Sequence, residues 1–397
     1  MLHGSIEYTK LATSSQGLGM GSVIVFTGGG SGGHVFPGLA VLEELKKKWS
    51  GEFLWIGSAR GIERGIVEKW GVPYRSIPSG KLRRELSIRN VFDAFRVVGG
   101  IFAAFFLLRR IRPVALFSKG GYVSVPPVIA ARMCRIPVVT HESDADPGLA
   151  TRINARFASV IFVAYDETRN YFPEGLRSRI QVSGNPVRPD IFSGDRLKGR
   201  RMIGAPESKL VLLVLGGSQG AAQVNRLVEG ALSGLVERFV VVHQTGQRKE
   251  GATAPVPGSY FPVDFMQDEY SDILAAADLV LCRAGAGTLW ELALTGKPSI
   301  LVPLEGATRG DQVRNAELFA ARGAAYVLSE SGLGDACGAP RADVLLAKAV
   351  ELAGDSGLRA RMANAAQTIG RAGAAMTIAD TVADLANGRT TELKAVT

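Results

Sequence analysis

The chain has 397 residues, 46% of them hydrophobic and 21% charged, with a formal charge of +9. That length exceeds one ordinary core and the composition excludes a disordered chain, so two globular domains are expected. The basic balance favours a polyanion, an anionic membrane or a phosphorylated substrate, without choosing among them.

Residues 1–20 hold no apolar core of the signal-peptide kind, so they read as a flexible extension, with Met20 an alternative start. Strand patterns follow at Val23–Phe26, Phe53–Ile56, Ala115–Ser118, Val138–His141 and Val160–Val163. Pro37–Trp49 reads as a helix opened by proline and closed by lysines. Short apolar runs separated by helices predict a parallel sheet. Ser183–Asp190, with two prolines and a glycine, is the expected interdomain linker. A second α/β run is expected from strands at Val211–Leu215, Phe239–His243, Leu279–Cys282, Ser299–Val302 and Ala325–Leu328. Helices Asp343–Ala353, Leu358–Gly370 and Ala374–Ala386 close the chain, and one of them can pack back on the first domain. Cys134, Cys282 and Cys337 form no CxxC, so neither a disulfide framework nor a zinc site is expected and a reducing compartment fits. No apolar run reaches the ~18–20 residues needed to span a bilayer.

Three glycine-rich loops stand out: Thr27–His34, Lys119–Pro126 and Leu215–Ala221. The first and third follow β-branched runs and precede helix-like stretches. That arrangement brings backbone N–H groups and a helix N-terminus up to a phosphate, in two nucleotide-fold domains facing one another. No Gly-Lys-Ser/Thr follows, so a P-loop NTPase is not expected. His34 closes the first loop and is a candidate base for an attacking hydroxyl; the alternative is a hydrogen-bonding residue at a helix start. In Arg283–Glu291, the amides of Gly285 to Thr288 suit a diphosphate at a helix N-terminus. Glu291, one turn later, can accept from two ribose hydroxyls or merely stabilise the helix dipole. Asp144-Ala-Asp146 has the spelling of a metal-dependent sugar-nucleotide site, but two acids beside Pro147-Gly148 are common in loops, so no metal is expected. His3, His141 and His243 read as structural.

The stretch Lys81–Arg112 carries twelve consecutive uncharged residues, Val97–Leu108, with Phe102, Phe105 and Phe106 among them. Eight basic residues, including Arg109 and Arg110, surround them against Glu85 and Asp93. Too short to span, this suits a helix lying in an anionic membrane surface; the alternative is a core helix with basic ends.

Together these motifs resemble the MurG family, the N-acetylglucosaminyltransferases that make lipid II of peptidoglycan. The resemblance lies in Gly29–His34 with Pro37–Ala40, Gly120–Pro126, Gly216–Ala221, His141-Glu142, Gly184–Arg188, Arg283–Glu291, and Asp311-Gln312 with Asn315-Ala316. These occur in order across residues 22–385. The resemblance implies an α/β GT-B fold, two Rossmann-like domains with parallel sheets facing a central cleft. Residues 21–184 would form the acceptor and membrane domain and residues 185–370 the UDP-GlcNAc domain. Residues 371–397 would supply a helix packing back on the first domain, then a tail. It implies inverting transfer of N-acetylglucosamine from UDP-GlcNAc to the C4 hydroxyl of undecaprenyl-diphospho-MurNAc-pentapeptide (lipid I), with no metal and no cofactor. His34 is then the leading candidate base. Carried over by position, the donor contacts are Ser31, Gly32, Gly33, Asp144, Arg188, Ser218, the backbone at Phe265-Met266, Gly285, Ala286, Gly287, Thr288, Leu289, Trp290, Glu291 and Gln312. The acceptor contacts are Gly29, Gly30, Gly120, Gly121 and Tyr122. Further implications are an anionic membrane surface at the cytoplasmic face of the bacterial inner membrane, other cell-wall synthesis or division proteins as partners, and no nucleic acid.

The chain departs from the family where Ser143-Asp144 stands for the frequent Gln-Asn, and where Asp311 stands for Gln. A carboxylate accepts from a sugar hydroxyl but cannot donate an amide N–H. Rival readings are a diacylglycerol glycosyltransferase, a dinucleotide oxidoreductase, and a non-catalytic membrane recruiter. The oxidoreductase would need an acidic ribose residue at the end of a second strand, and Glu43 and Glu44 lie within a helix instead. A complete donor-type block at Arg283–Glu291 speaks against the recruiter.

Overall fold

The computed structural model describes residues 23–80, 88–216, 222–246, 254–306, 310–329 and 341–389. Ser218, Cys337, the basic residues Lys81, Arg83 and Arg84, and the extension before Met20 lie outside the described residues. The first sheet comprises β1 (Val23–Thr27), β2 (Glu52–Ser58), β3 (Tyr74–Ile77), β4 (Ala115–Ser118), β5 (Val138–Glu142), β6 (Val160–Val163) and β7 (Ile180–Val182). All its pairings are parallel, in the order β3-β2-β1-β4-β5-β6-β7. The second comprises β8 (Leu210–Leu215), β9 (Phe239–Gln244), β10 (Tyr260–Val263), β11 (Leu279–Cys282), β12 (Ser299–Leu301) and β13 (Ala325–Val327), parallel in the order β10-β9-β8-β11-β12-β13. The two Rossmann-like sheets expected from the sequence are therefore present.

Strands β3, β7 and β10 were not expected. All three are short and lie at sheet edges. Tyr74-Arg-Ser-Ile and Ile180-Gln-Val carry polar residues, and β10 contains Pro262, which an edge tolerates because it needs no outward ladder bond. The central strands, buried on both faces, are the continuous apolar runs that a sequence pattern finds.

Strand order reverses between β1 and β4, and again between β8 and β11. Loops leaving the carboxyl ends of two such strands diverge to opposite faces and leave a crevice between them. Thr27–His34 follows β1 and Lys119–Pro126 follows β4, while Gly216 follows β8 and Arg283–Glu291 follows β11. Every motif singled out for phosphate chemistry thus emerges at a switch point.

The two sheets are joined by side chains rather than by the linker alone. One apolar cluster contains Ala145, Ala164 and Tyr165 together with Leu289, Trp290, Ala316 and Phe319. Asn315 is fully buried and spans the junction. It donates to Asp144 Oδ1 (2.9 Å) and to the Ala284 carbonyl (3.3 Å), and accepts from Ala145 N–H (2.9 Å). The helix Ala374–Ala386 returns to the first sheet, placing Ile378, Ala379 and Val382 against Ile24, Phe26 and Leu42. Full burial of Ile378 and Val382 is worth about 1.5–3 kcal/mol each, which holds the chain's end on the opposite domain. Lys48 and Asp380 pair across the same contact.

The helix Ile88–Ile111 runs along the first domain. Ala104 and Leu108 are buried in its core, whereas Phe95, Val98, Phe102 and Phe106 are exposed at spacings of one helical turn. Phe105 differs from expectation: it packs against the core cluster, with the Arg109 guanidinium 5.8 Å from its ring. Three residues before the fully buried Leu108 and one after Ala104, it sits on the side of the helix that meets the core. Arg109 and Arg110 are exposed. Among the described residues, no helix is long and apolar enough to cross a membrane.

Candidate active site

The first loop is held by a residue the sequence reading missed. Glu63 is fully buried, and its carboxylate accepts from Ser58 N–H (3.0 Å), Ser58 Oγ (2.5 Å) and Gly30 N–H (3.1 Å). Gly30 was expected to serve the acceptor; here its amide serves the loop's own shape, because an anion of the protein already occupies it. Ser31 and Gly33 are exposed, Gly32 is half-buried, and Gly32–His34 forms one 3-10 turn before the helix Phe36–Lys46.

The second loop closes on the first. Gly120 and Gly121 both have positive φ, 84° and 77°. A Cβ on Gly121 would lie 2.3 Å from the Gly29 carbonyl and 3.1 Å from the His34 ring, so only glycine allows the approach. A Cβ on Gly30 would meet the Tyr122 ring at 2.9 Å. Gly29, Gly30, His34, Gly120, Gly121 and Tyr122 are therefore one surface.

His34 Nδ1 is buried, which leaves Nε2 as the nitrogen available to a substrate hydroxyl. Burial and the adjacent Lys119 ammonium push the ring down to about 4, against the opposing pull of Glu142, the Lys119 main chain and Glu63. The ring is neutral at pH 7 and its base form is lost only as pH falls through that value.

Behind His34 lies a buried polar chain. Lys119 Nζ donates to Ser143 Oγ (2.7 Å), which donates to Asn185 Oδ1 (2.5 Å). Glu142 accepts from Ser143 N–H (2.8 Å), Asp144 N–H (3.1 Å) and Gly148 N–H (3.0 Å). His141 meets the Gly184 carbonyl at 2.9 Å, and His243 lies between Tyr260 OH (3.0 Å) and Asn225 Oδ1 (3.1 Å), so both are tied within the fold. Asp146 binds Arg152 (2.6 Å) and also pairs with Arg314 of the second domain. Asp144 and Asp146 thus serve the domain junction. Among the described residues no group of three His, Cys, Asp or Glu is placed to hold a metal.

In the second domain, the helix Ala286–Thr295 starts at Gly285, an extended N-cap with no side-chain cap bond. The amides of Ala286, Gly287 and Thr288 point out of its first turn, the geometry that receives a diphosphate. Leu289 and Trp290 differ from expectation, since both side chains are buried. Trp290 stacks obliquely on Tyr165 at 5.3 Å, and a Cβ on Gly184 (φ 82°) would meet it at 3.0 Å. Any donor contact from these two positions is a main-chain one. Glu291 is not in the first turn, which disfavours the dipole role. Its Oε2 accepts from Tyr270 OH (2.6 Å), and the Arg188 guanidinium lies 5.2 Å from the Tyr270 ring. Burial raises the Glu291 carboxyl; Tyr270 and Arg188 lower it. Tyr270 carried no sequence signal. Its removal as Tyr270→Phe should weaken UDP binding about 3- to 10-fold by freeing the carboxylate to rotate, read by calorimetry; an unchanged affinity would show that Glu291 needs no such support.

Met266 is buried and its N–H donates to Gln244 Oε1 (3.2 Å), while the Phe265 side chain is exposed. Gln312 accepts from Leu304 N–H (3.0 Å) beside the carboxyl end of β12.

Two Rossmann-like parallel sheets, with His34 on a switch-point loop of one and the uncapped helix start at Gly285 on a switch-point loop of the other, make the GT-B architecture of glycosyltransferases. Residues 24–163 match the glycosyltransferase family 28 N-terminal domain, and residues 211–335 match its C-terminal domain. The chain is 50% identical over 314 residues to a UDP-N-acetylglucosamine--N-acetylmuramyl-(pentapeptide) pyrophosphoryl-undecaprenol N-acetylglucosamine transferase of Treponema pallidum (strain Nichols), covering 77% of this chain and 82% of that one. It is 40% identical over 329 residues to a transferase of the same description from Legionella pneumophila (strain Lens), covering 82% and 88%. The crystal structure of Acinetobacter baumannii MurG superposes with a TM-score of 0.71 at 26% identity, over 91% of this chain and 99% of that one. The chain belongs to the MurG family within glycosyltransferase family 28.

Proposed function

We propose that this chain transfers N-acetylglucosamine from UDP-GlcNAc to the C4 hydroxyl of undecaprenyl-diphospho-MurNAc-pentapeptide, forming lipid II. The identity of half the aligned residues to a transferase so described, spread over both domains, carries the reading. The geometry supports it. His34 Nε2 takes the proton of the C4 hydroxyl as its oxygen forms the new bond to the donor's C1. The bond from C1 to the diphosphate breaks on the opposite side, inverting the configuration, and UDP leaves with the electron pair. The amides of Ala286 to Thr288 and the Arg188 guanidinium meet the negative charge that develops on it. Glu291 and the Met266 region hold the ribose and uracil, and Gln312 and Asp144 face the sugar. Gly120, Gly121 and Tyr122 receive the acceptor beside His34.

The test is transfer of labelled N-acetylglucosamine from UDP-GlcNAc to a short-chain lipid I analogue, with diacylglycerol as the comparison acceptor. Label on lipid I alone supports the reading. A folded, UDP-GlcNAc-binding protein that labels only diacylglycerol would move it to another membrane transferase.

The acceptor is borne on a lipid, so the enzyme works peripherally at the cytoplasmic face of the plasma membrane, through the exposed stripe Phe95–Val98–Phe102–Phe106 and the flanking Arg109 and Arg110. Replacing Phe102 and Phe106 together with serine should lower binding to anionic vesicles by about 100-fold or more, since each inserted aromatic ring is worth roughly 1.5–3 kcal/mol. Co-sedimentation equal to the parent protein's would place the membrane contact elsewhere.

A further inference from the structure

We propose that Glu63 is a positioning residue for the transfer: its buried carboxylate takes the place of an anion inside the first glycine loop and fixes the shape in which His34 meets the acceptor. The inference rests on the transfer reading above and adds to it a residue from outside the glycine loops.

Glu63 opens the helix Glu63–Lys69, on the connection from β2 to β3, and is fully buried. A carboxylate that has given up water needs donors on its lone pairs. Its three donors are uncharged and come from two places. Ser58 N–H and Oγ, at the end of β2, share Oε1, and Gly30 N–H takes Oε2. A loop amide at the carboxyl end of a central strand is what a phosphate would meet; here the protein supplies the anion itself. The fit is close on both sides. A Cβ on Gly29 would lie 2.5 Å from Glu63 Cδ, and one on Gly61 would lie 2.0 Å from Oε2. Glycine at these two positions is what admits the carboxylate.

The path from Glu63 to His34 is short. Trp55 Nε1 donates to the Gly28 carbonyl (3.1 Å) and Thr27 Oγ1 to the Ile56 carbonyl (2.9 Å), so β2 holds the start of the loop. Glu63 holds its middle. From Gly30 the chain runs straight into the turn in which His34 N–H bonds the Ser31 carbonyl (3.1 Å). Ser31 makes no side-chain cap bond, and Ser31 and Gly33 are exposed, so the turn takes its support from the inner side, where Glu63 stands. Being fully buried, Glu63 touches no substrate and acts only through the loop.

The experiment is a double-mutant cycle on the full chain between Glu63→Gln and His34→Ala. It reads kcat and KM for UDP-GlcNAc and for the short-chain lipid I analogue, on variants whose melting curves show them folded at the assay temperature. Glutamine keeps the volume, but Ser58 N–H and Gly30 N–H only donate, so in either orientation its NH2 faces one of them. Glu63→Gln should lower kcat about 10- to 100-fold, the effect of misplacing a reacting group by about an ångström. KM for the donor should stay within about twofold. In the His34→Ala background the same substitution should cost less than about twofold, because residues that act as one unit are not additive.

Equal losses in both backgrounds would overturn the proposal, since a group that only stabilises the fold costs the same in each. An unchanged kcat with an acceptor KM lowered about fivefold or more would also overturn it, because the acceptor's diphosphate would then be competing with Glu63 for the Gly30 amide. If Glu63→Gln does not fold, Gly61→Ala decides: its methyl group displaces Oε2 without removing the charge. It should reproduce both the loss in kcat and the disappearance of that loss in His34→Ala, and a kcat equal to the parent's sinks the proposal. A His34→Ala protein with the parent's kcat sinks it as well, because the route runs through the histidine. A parent protein with no transfer activity would instead count against the function itself, so the two failures are distinguishable.

Discussion

Replacing His34 with alanine is expected to lower kcat for transfer by about 10²–10⁴-fold, the usual worth of a positioned general base, with UDP affinity nearly unchanged. The ring is held between two loops: the turn Gly32–His34 holds its backbone, and Gly121 comes so close that an added Cβ would lie 3.1 Å from the ring and 2.3 Å from the Gly29 carbonyl. With Nδ1 buried and without a hydrogen-bond partner, Nε2 is the nitrogen left for a substrate hydroxyl. The ring's low proton affinity, about 4, arises from burial first and Lys119 second. Its base form is therefore present throughout the neutral range. Calorimetry with UDP, alongside turnover with the lipid I analogue, separates chemistry from donor binding. A His34→Ala protein that keeps half of the parent's kcat would remove the histidine from the mechanism.

Glu291→Ala is expected to weaken UDP-GlcNAc binding by about 2–4 kcal/mol, or roughly 30- to 1000-fold, because hydrogen bonds to a charged group contribute about 1.5–3 kcal/mol each. The effect should appear mainly in KM. Tyr270 OH occupies Oε2, which fixes the carboxylate plane and leaves Oε1 for the ribose. The diagnostic comparison is UDP-GlcNAc against its 2′-deoxyribose analogue. The parent should discriminate between them and Glu291→Ala should not. Equal discrimination by both proteins would assign the ribose to another residue.

Much of this protein was legible locally. Val23–Phe26, Leu279–Cys282 and the other central strands are apolar runs whose burial on both faces demands that composition. The glycine loops were legible because positive φ and close backbone approach leave few alternatives to glycine at Gly120 and Gly121. Edge strands such as β3 and β10 were not, since half-buried short segments carry mixed residues. Phe105 groups with its neighbours in the sequence because an apolar run does not say which face of the helix meets the core. Leu289 and Trp290 look like part of a binding block in sequence and are core residues in space.

Glu63 and Tyr270, which the sequence reading missed, and Asn315, named there only within a motif, each act on a partner far along the chain. Glu63 reaches Gly30, 33 residues away, and Tyr270 reaches Glu291, 21 residues away. Asn315 reaches Asp144 across 171 residues and a domain boundary. A lone glutamate or tyrosine has no local signature. The linear pattern determined two Rossmann-like sheets and the loops at their switch points, because φ, strand burial and helix starts are decided by neighbouring residues. Which carboxylate holds a loop and how the two halves of the cleft meet were decided only by tertiary structure, because those energies depend on distances that strand order and domain packing set.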